Sequence, residues 1–189
     1  MQVLKDEIRK QILETAEQLF FEYGFIGTTT RMIAKQVGIS VSHLYLYYEN
    51  KEALYSAITD PFIQYFTQSL DLFLNHKKEF DDMGAQLSQI AFELIKSNRC
   101  KLLLVLEKSK GTKYESFKIK LIEELKRHIQ TQMNSKIHNK ELLAHVFAKG
   151  LIEGIIVIAT EYKDKEQLKH NLECMMNYHA DGIKGFLNN

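Results

Sequence analysis

The side chains most suited to chemistry lie between residues 41 and 47. Val41, Ser42, His43, Leu46 and Tyr47 are short or planar groups of the size that meets base edges and phosphates in a DNA groove. No residues elsewhere suggest a reaction centre. The seven histidines are scattered, and the chain has no His-Glu-x-x-His, no Gly-x-Ser-x-Gly and no phosphate-cradling glycine loop. No Ser-His-Asp set is suggested either. No catalytic residue, metal site or cofactor is therefore expected, and an enzyme is disfavoured. Cys100 and Cys174 stand far apart without metal-ligand spacing, which fits two reduced thiols in a cytoplasmic protein.

Short helices must hold these side chains outward. Ile8, Ile12, Ala16, Leu19 and Phe20 recur at three- and four-residue steps, predicting a helix over about 5–23 that Gly24 stops. Thr28-Thr29-Thr30 offers N-caps for a short helix with Ile33 and Ala34 facing inward. Gly38-Ile39-Ser40 then turns the chain, and Leu44 anchors a second short helix from Val41 to about Tyr47. Two short helices around a glycine turn form a helix-turn-helix, whose second helix can enter a major groove.

The remainder reads as helix throughout. One Pro and nine Gly among 189 residues favour few, long elements. Apolar periodicity marks helices over about 51–75, 81–95, 99–110, 117–129, 140–162 and 165–187, with Asn50 or a neighbour capping the first and Pro61 kinking it. The inner face of the second carries Leu87, Ile90, Ala91, Leu94 and Ile95. The fold class is all-α with about nine helices. The start of the chain has no secretory pattern, and the apolar stretch 150–160 carries Glu153 and is too short for a bilayer, so no membrane partner is expected.

The run Ile12 to Phe20, followed by Gly24-Phe25, Thr28-Thr29, Ile33-Ala34, Gly38-Ile39-Ser40, Leu44-Tyr45, Tyr47-Tyr48 and Lys51-Glu52-Ala53-Leu54, resembles the N-terminal domain of the TetR family of transcriptional regulators. The resemblance implies a DNA-binding domain over 1–50 and a helical effector-binding and dimerisation domain over 51–189. It implies phosphate contacts from Thr29, Thr30, Tyr45 and Lys51, a phosphate or base contact from Arg31, and base contacts from Val41, Ser42 and His43 with Tyr47 alongside. His43, Leu46 and Tyr48 depart from the family's common residues, and Val41 offers at most contact with a thymine methyl. Tyr48 is expected in the core.

The same resemblance implies a homodimer in which the last two helices pack against their copies. Candidate interface residues are Gly150, Gly154, Ile155, Ile158, Met175, Met176, His179 and Ile183, with the two glycines allowing close approach; a buried helix of a monomer is the alternative. Phe62, Tyr65, Phe66, Phe92, Leu103, Glu107, Tyr114, Phe117 and Phe147 are candidates for a largely apolar effector pocket, against the alternative that they are plain core.

Charge speaks less clearly. The whole chain has 25 Lys+Arg against 24 Asp+Glu. Residues 1–55 hold six basic and seven acidic groups, while 28–51 hold three basic (Arg31, Lys35, Lys51) and one acidic (Glu49). The expected function is a ligand-responsive repressor that binds a palindromic double-stranded operator as a dimer. The alternative is a ligand- or partner-binding protein of the same fold that has lost specific DNA binding.

Overall fold

The computed structural model describes residues 2–75 and 83–186. Among them are eight helices and no strand: α1 (Gln2–Gly27), α2 (Thr30–Val37), α3 (Val41–Tyr45), α4 (Lys51–Asn75), α5 (Met83–Glu107), α6 (Phe117–Gln132), α7 (Lys140–Glu161) and α8 (Lys165–Lys184). The sequence pattern suggests nine because it divides residues 81–110 in two. Within α5 two helical stretches meet at the non-helical Asn98 (φ −138°, ψ 24°), inside the gap that the sequence pattern leaves between residues 95 and 99. An opening at Asp81-Asp82 and an end at Leu187 lie outside the described residues.

By compactness the chain forms two units. One unit comprises Met1–Gln68 with Cys100–Ser116, the other Ser69–Arg99 with Phe117–Asn189. The first closes over Ile12, Ala16 and Phe20 of α1, Ile33 and Ala34 of α2, Leu44 of α3, and Leu54, Tyr55 and Ile58 of α4, with Leu104 of α5. Phe20, Phe25 and Tyr55 form an aromatic cluster with ring centroids 5.2–5.8 Å apart. The Tyr55 hydroxyl donates to Leu104 O at 3.1 Å, and burial pushes its pKa far up, so the phenol stays neutral.

The connection between α5 and α6 returns to this unit. Phe25 N donates to Lys108 O at 3.4 Å, and Gly111 (φ 85°) sits where a Cβ would lie 3.1 Å from Ile26 Cγ1. The Lys113 ammonium meets Asp60 at 2.9 Å, the Tyr114 hydroxyl donates to the same carboxylate at 2.6 Å, and Lys113 N donates to Glu52 at 3.2 Å.

In the second unit, α6 buries Leu121, Ile122, Leu125 and Ile129. α7 buries Ala144, Ala148, Ile152, Ile156 and Ala159, and α8 buries Leu168, Leu172, Met176 and Ala180. Each set follows the three- and four-residue rhythm of one helix face. Arg99 donates to Thr160 O at 2.6 Å and lies over the Tyr162 ring, satisfying the end of α7. Ala91, Leu94 and Ile95 of α5 are buried, but Ile90 is exposed, contrary to the face expected for it.

Candidate nucleic-acid interface

Polar caps shape every bend of residues 24–54. Gly24 adopts φ 72°, a conformation that favours glycine, and breaks the path of α1. Thr28 is buried, its hydroxyl 2.9 Å from Leu19 O and 2.8 Å from Gly24 O, which pins the turn from inside. Thr29 is the N-cap of α2, its hydroxyl accepting from Met32 N at 3.2 Å. Gly38 (φ 80°) closes α2 with Ile39 N donating to Ala34 O at 3.0 Å. Ser40 caps α3 by accepting from His43 N at 3.1 Å, and the Asn50 carboxamide caps α4 by accepting from Ala53 N at 2.7 Å.

α3 is shorter than expected. It ends at Tyr45, and the chain tightens through Leu46 N to His43 O at 3.1 Å and Tyr47 N to Leu44 O at 3.0 Å. Leu44 is fully buried and fixes the helix on its support. Ser42 and Tyr45 are exposed, Val41, His43 and Tyr47 half-buried, and Leu46 is 80% exposed. The His43 and Tyr47 rings lie 5.6 Å apart. Tyr48 is buried, as expected, with the Arg9 guanidinium 5.8 Å from its ring centroid.

Two hydroxyls meet at the start of α2. Thr30 Oγ1 lies 3.3 Å from the Tyr45 hydroxyl, joining the first turn of α2 to the end of α3. Arg31 stands exposed one residue on. Thr29, Thr30, Arg31 and Tyr45 therefore surround a helix N-terminus, where main-chain N–H groups and the helix dipole favour an anion. Lys51 is placed differently. Its ammonium donates to Phe25 O at 2.7 Å and Thr28 O at 2.8 Å and sits 4.2 Å from the Phe25 ring centroid. Burial lowers its pKa. Neither carbonyl has a signature in the sequence, because both acceptors are main-chain atoms.

The effector candidates divide between the units. In the first, Phe62 and Leu103 are buried, Phe66 packs 6.0 Å from Phe62, and Tyr65 and Glu107 are exposed. Tyr114 spends its hydroxyl on Asp60, and burial with that hydrogen bond raises its pKa. In the second, the Lys96 ammonium lies 5.4 Å from the Phe92 ring, Phe147 packs 5.5 Å from Phe186, and Phe117 is half-buried. The cluster of Asp60 with Lys113 has no counterpart in the sequence pattern, since 53 residues separate them and no periodicity links them.

Three of the interface candidates face their own chain. Met176 is 1% exposed and belongs to the core of its own chain. Gly150 and Gly154 face α8 of the same chain: a Cβ would stand 3.6 Å from His179 at the former and 2.5 Å from Met175 Sδ at the latter. Their small size admits α8, so no close approach of a second copy follows from them. Ile155, Ile158, Met175, His179 and Ile183 are half-buried, and Val146 (52%), Val157 (59%) and Tyr178 (76%) are exposed. By length and composition α7 is apolar enough to cross a membrane, yet its Glu153 pairs with Lys118 of α6 at 2.9 Å.

Residues 12–58 match the family model described as bacterial regulatory proteins, tetR family. The negative transcriptional regulator IcaR of the biofilm operon icaADBC in Staphylococcus epidermidis is 30% identical over 137 residues, 70% of this chain and 66% of that protein. Two other curated relatives, the probable transcriptional regulator YttP of Bacillus subtilis and the regulator RutR of Escherichia coli, are spanned over less than half of their length, 44% and 35%. Among solved structures, the ketosteroid transcriptional regulator KstR2 of Mycobacterium tuberculosis superposes with a TM-score of 0.70 at 14% identity, covering 96% of this chain and 95% of that one. AibR, solved with isovaleryl coenzyme A and operator DNA, superposes with a TM-score of 0.62 at 19% identity, covering 89% of this chain and 97% of that one. These two likenesses show the fold.

Proposed function

The chain belongs to the TetR family of helix-turn-helix transcriptional regulators, and from that premise we propose that it is a dimeric repressor released from its operator by a small molecule. One observation carries the reading: the start of α2 and the uncovered side chains of α3 form one continuous polar edge, joined at Thr30 and Tyr45. Thr29, Thr30, Arg31 and Tyr45 hold phosphates there, which fixes the register of α3. Val41, Ser42, His43 and Tyr47 then meet base edges, with Val41 limited to apolar contact. Repression follows the role of IcaR as a negative regulator.

A second copy of the chain covers α7 and α8. Val146, Val157 and Tyr178 leave apolar surface on these helices that a monomer would expose to water. A two-fold dimer also presents two copies of α3, as an operator with half-sites about 34–36 Å apart requires. The effector is largely apolar. Aromatic side chains such as Phe62 and Phe66 support this, as do a ketosteroid regulator and an isovaleryl coenzyme A complex among the structural neighbours. It acts by binding the operator-incompatible dimer more tightly than the DNA-fitting one. The protein works in the cytoplasm and performs no catalytic step.

Titration of the intact protein against fluorescent DNA from upstream of its own gene, with scrambled competitor, tests this reading. Tight binding to one fragment, weakened by salt and by a cognate effector, is the expected result. Binding that does not distinguish the fragment from the competitor at any salt concentration speaks against it.

A further inference from the structure

We propose that Lys108 and Lys110, on the loop that joins α5 to α6, form a further contact with the operator backbone, one DNA phosphate per protomer, beside the polar edge of α2 and α3. The proposal rests on the operator-binding reading and adds to it a site outside the helix-turn-helix.

Charge raises the question. Sequence-independent attraction to DNA comes from Lys and Arg side chains that neutralise phosphates. In the first compact unit, residues 1–68 hold six basic side chains against eight acidic ones, so the helix-turn-helix and its surroundings bring no surplus of positive charge. Residues 100–116 of the same unit hold four basic against two acidic. Three of those four stand close together, at Lys108, Lys110 and Lys113.

The loop turns its small polar residues inward and these lysines outward. Ser109 and Thr112 are buried, the Thr112 hydroxyl donating to Ser109 O at 2.8 Å and the Ser109 hydroxyl to Tyr114 O at 3.1 Å. Gly111 N donates to the Glu115 carboxylate at 3.1 Å. Lys113 is spent on Asp60, at 2.9 Å. Lys108 and Lys110 are exposed, and neither has an ion-pair partner among the described residues. Two cations are thus held on a turn whose shape is already fixed, at little further cost in order when an anion arrives.

The loop lies against the two segments that lead to the phosphate-facing edge. Phe25 N donates to Lys108 O at 3.4 Å, and Phe25 O accepts from the Lys51 ammonium at 2.7 Å, so a single residue links the loop to the start of α4. Lys51 commits a second donor to Thr28 O and keeps the third. Lys113 N donates to Glu52, the residue after Lys51, at 3.2 Å. Gly111 admits Ile26 of the α1–α2 turn, since a Cβ there would stand 3.1 Å from Ile26 Cγ1. A DNA strand that meets Thr29, Arg31 and Lys51 therefore passes beside two further ammonium groups.

Two double variants of the intact protein test this, each losing a pair of exposed lysines two positions apart: Lys108→Gln with Lys110→Gln, and, in the second unit, Lys163→Gln with Lys165→Gln. The readout is the slope of log affinity against log salt for the operator fragment. One phosphate lost per protomer makes the slope of a dimer shallower by about 1.8. That change is expected in the first variant alone, with affinity for operator and scrambled competitor weakened by the same factor, because a phosphate contact carries no sequence information. Lys108→Arg with Lys110→Arg keeps both charges and should keep the slope. An unchanged slope in the first variant, an equal change in both glutamine variants, or the same change in the arginine variant overturns the proposal. Should the unaltered protein bind operator and competitor alike, the operator reading fails, while the slopes measured on the competitor still decide whether the loop meets a phosphate.

Discussion

Residues 24–54 and helix α7 are both helical, but different forces hold them. In the first region the short helices α2 and α3 and the first turn of α4 each begin on a specific polar bond: Thr29 to Met32 N, Ser40 to His43 N and Asn50 to Ala53 N. α7 has 22 residues and a mean hydropathy of 1.9 over its most apolar window, of which 28% is buried. Its N-cap, Asn139, makes no side-chain capping bond. Short helices cannot sustain themselves and need every terminal group satisfied. A long apolar helix needs only surfaces to lie against, and its own chain supplies just part of them. The first kind of element is specified by its own residues, the second by whatever covers it.

The first region is most vulnerable at its anchor. Leu44→Ala deletes a fully buried side chain from the five-residue α3 and is expected to cost about 2–5 kcal/mol in denaturant unfolding, with loss of operator binding. Retention of both would mean that α3 is held by its neighbours alone. The matching change in the second region adds volume. Gly154→Ala places a methyl 2.5 Å from Met175 Sδ and is expected to cost about 1–3 kcal/mol unless Met175 changes rotamer. Pairing it with Met175→Ala recovers part of the loss, which thermal melts of the two variants would show.

A smaller effect tests the caps. Thr29→Ala removes the bond to Met32 N and is expected to lower stability by about 1 kcal/mol, while Asn139→Gly, which suits the left-handed backbone there (φ 54°) and removes no side-chain cap, should cost less. Equal losses at the two sites would erase the contrast between the regions. The smallest effect concerns pH. Burial lowers the pKa of His128 and His179 below the ordinary 6.5, so in the folded chain both favour the neutral form. Their contribution is complete above pH 6.5 and is lost as pH falls through the folded values, because the unfolded chain takes up protons first. The melting temperature is therefore expected to drop on acidification below about pH 6.5, and His179→Gln should flatten that drop; an unchanged profile in the variant would remove this contribution.

The same contrast decides what was legible in the sequence. Gly24, Gly38, Ser40 and Asn50 announce bends because their chemistry is local, and each stands where the pattern put it. The buried face of α1 followed from periodicity for the same reason, whereas the core position of Tyr48 followed from the family resemblance. The carbonyl contacts of Lys51 escaped because the acceptors lie 23 and 26 residues away, and main-chain oxygens carry no residue identity. Asp60 with Lys113 and Tyr114 escaped because two distant turns bring them together. In α7 and α8 the apolar pattern showed that the helices are covered but not by what. Met176 proved to be core, and Gly150 and Gly154 proved to receive α8 of their own chain. The break at Asn98 has no Gly or Pro to mark it, yet the apolar pattern leaves its gap there, between residues 95 and 99.

Whether the edge formed by α2 and α3 reads a DNA sequence can be decided by selection. The intact protein is offered a random double-stranded pool, and the enriched sequence is then titrated. An inverted repeat is expected, with half-site centres about one helical turn, or a multiple of it, apart. Its affinity should fall when Ser42 and His43 are replaced by alanine. A pool that stays random after repeated rounds, with binding that does not depend on sequence, would contradict a sequence-reading role for this edge.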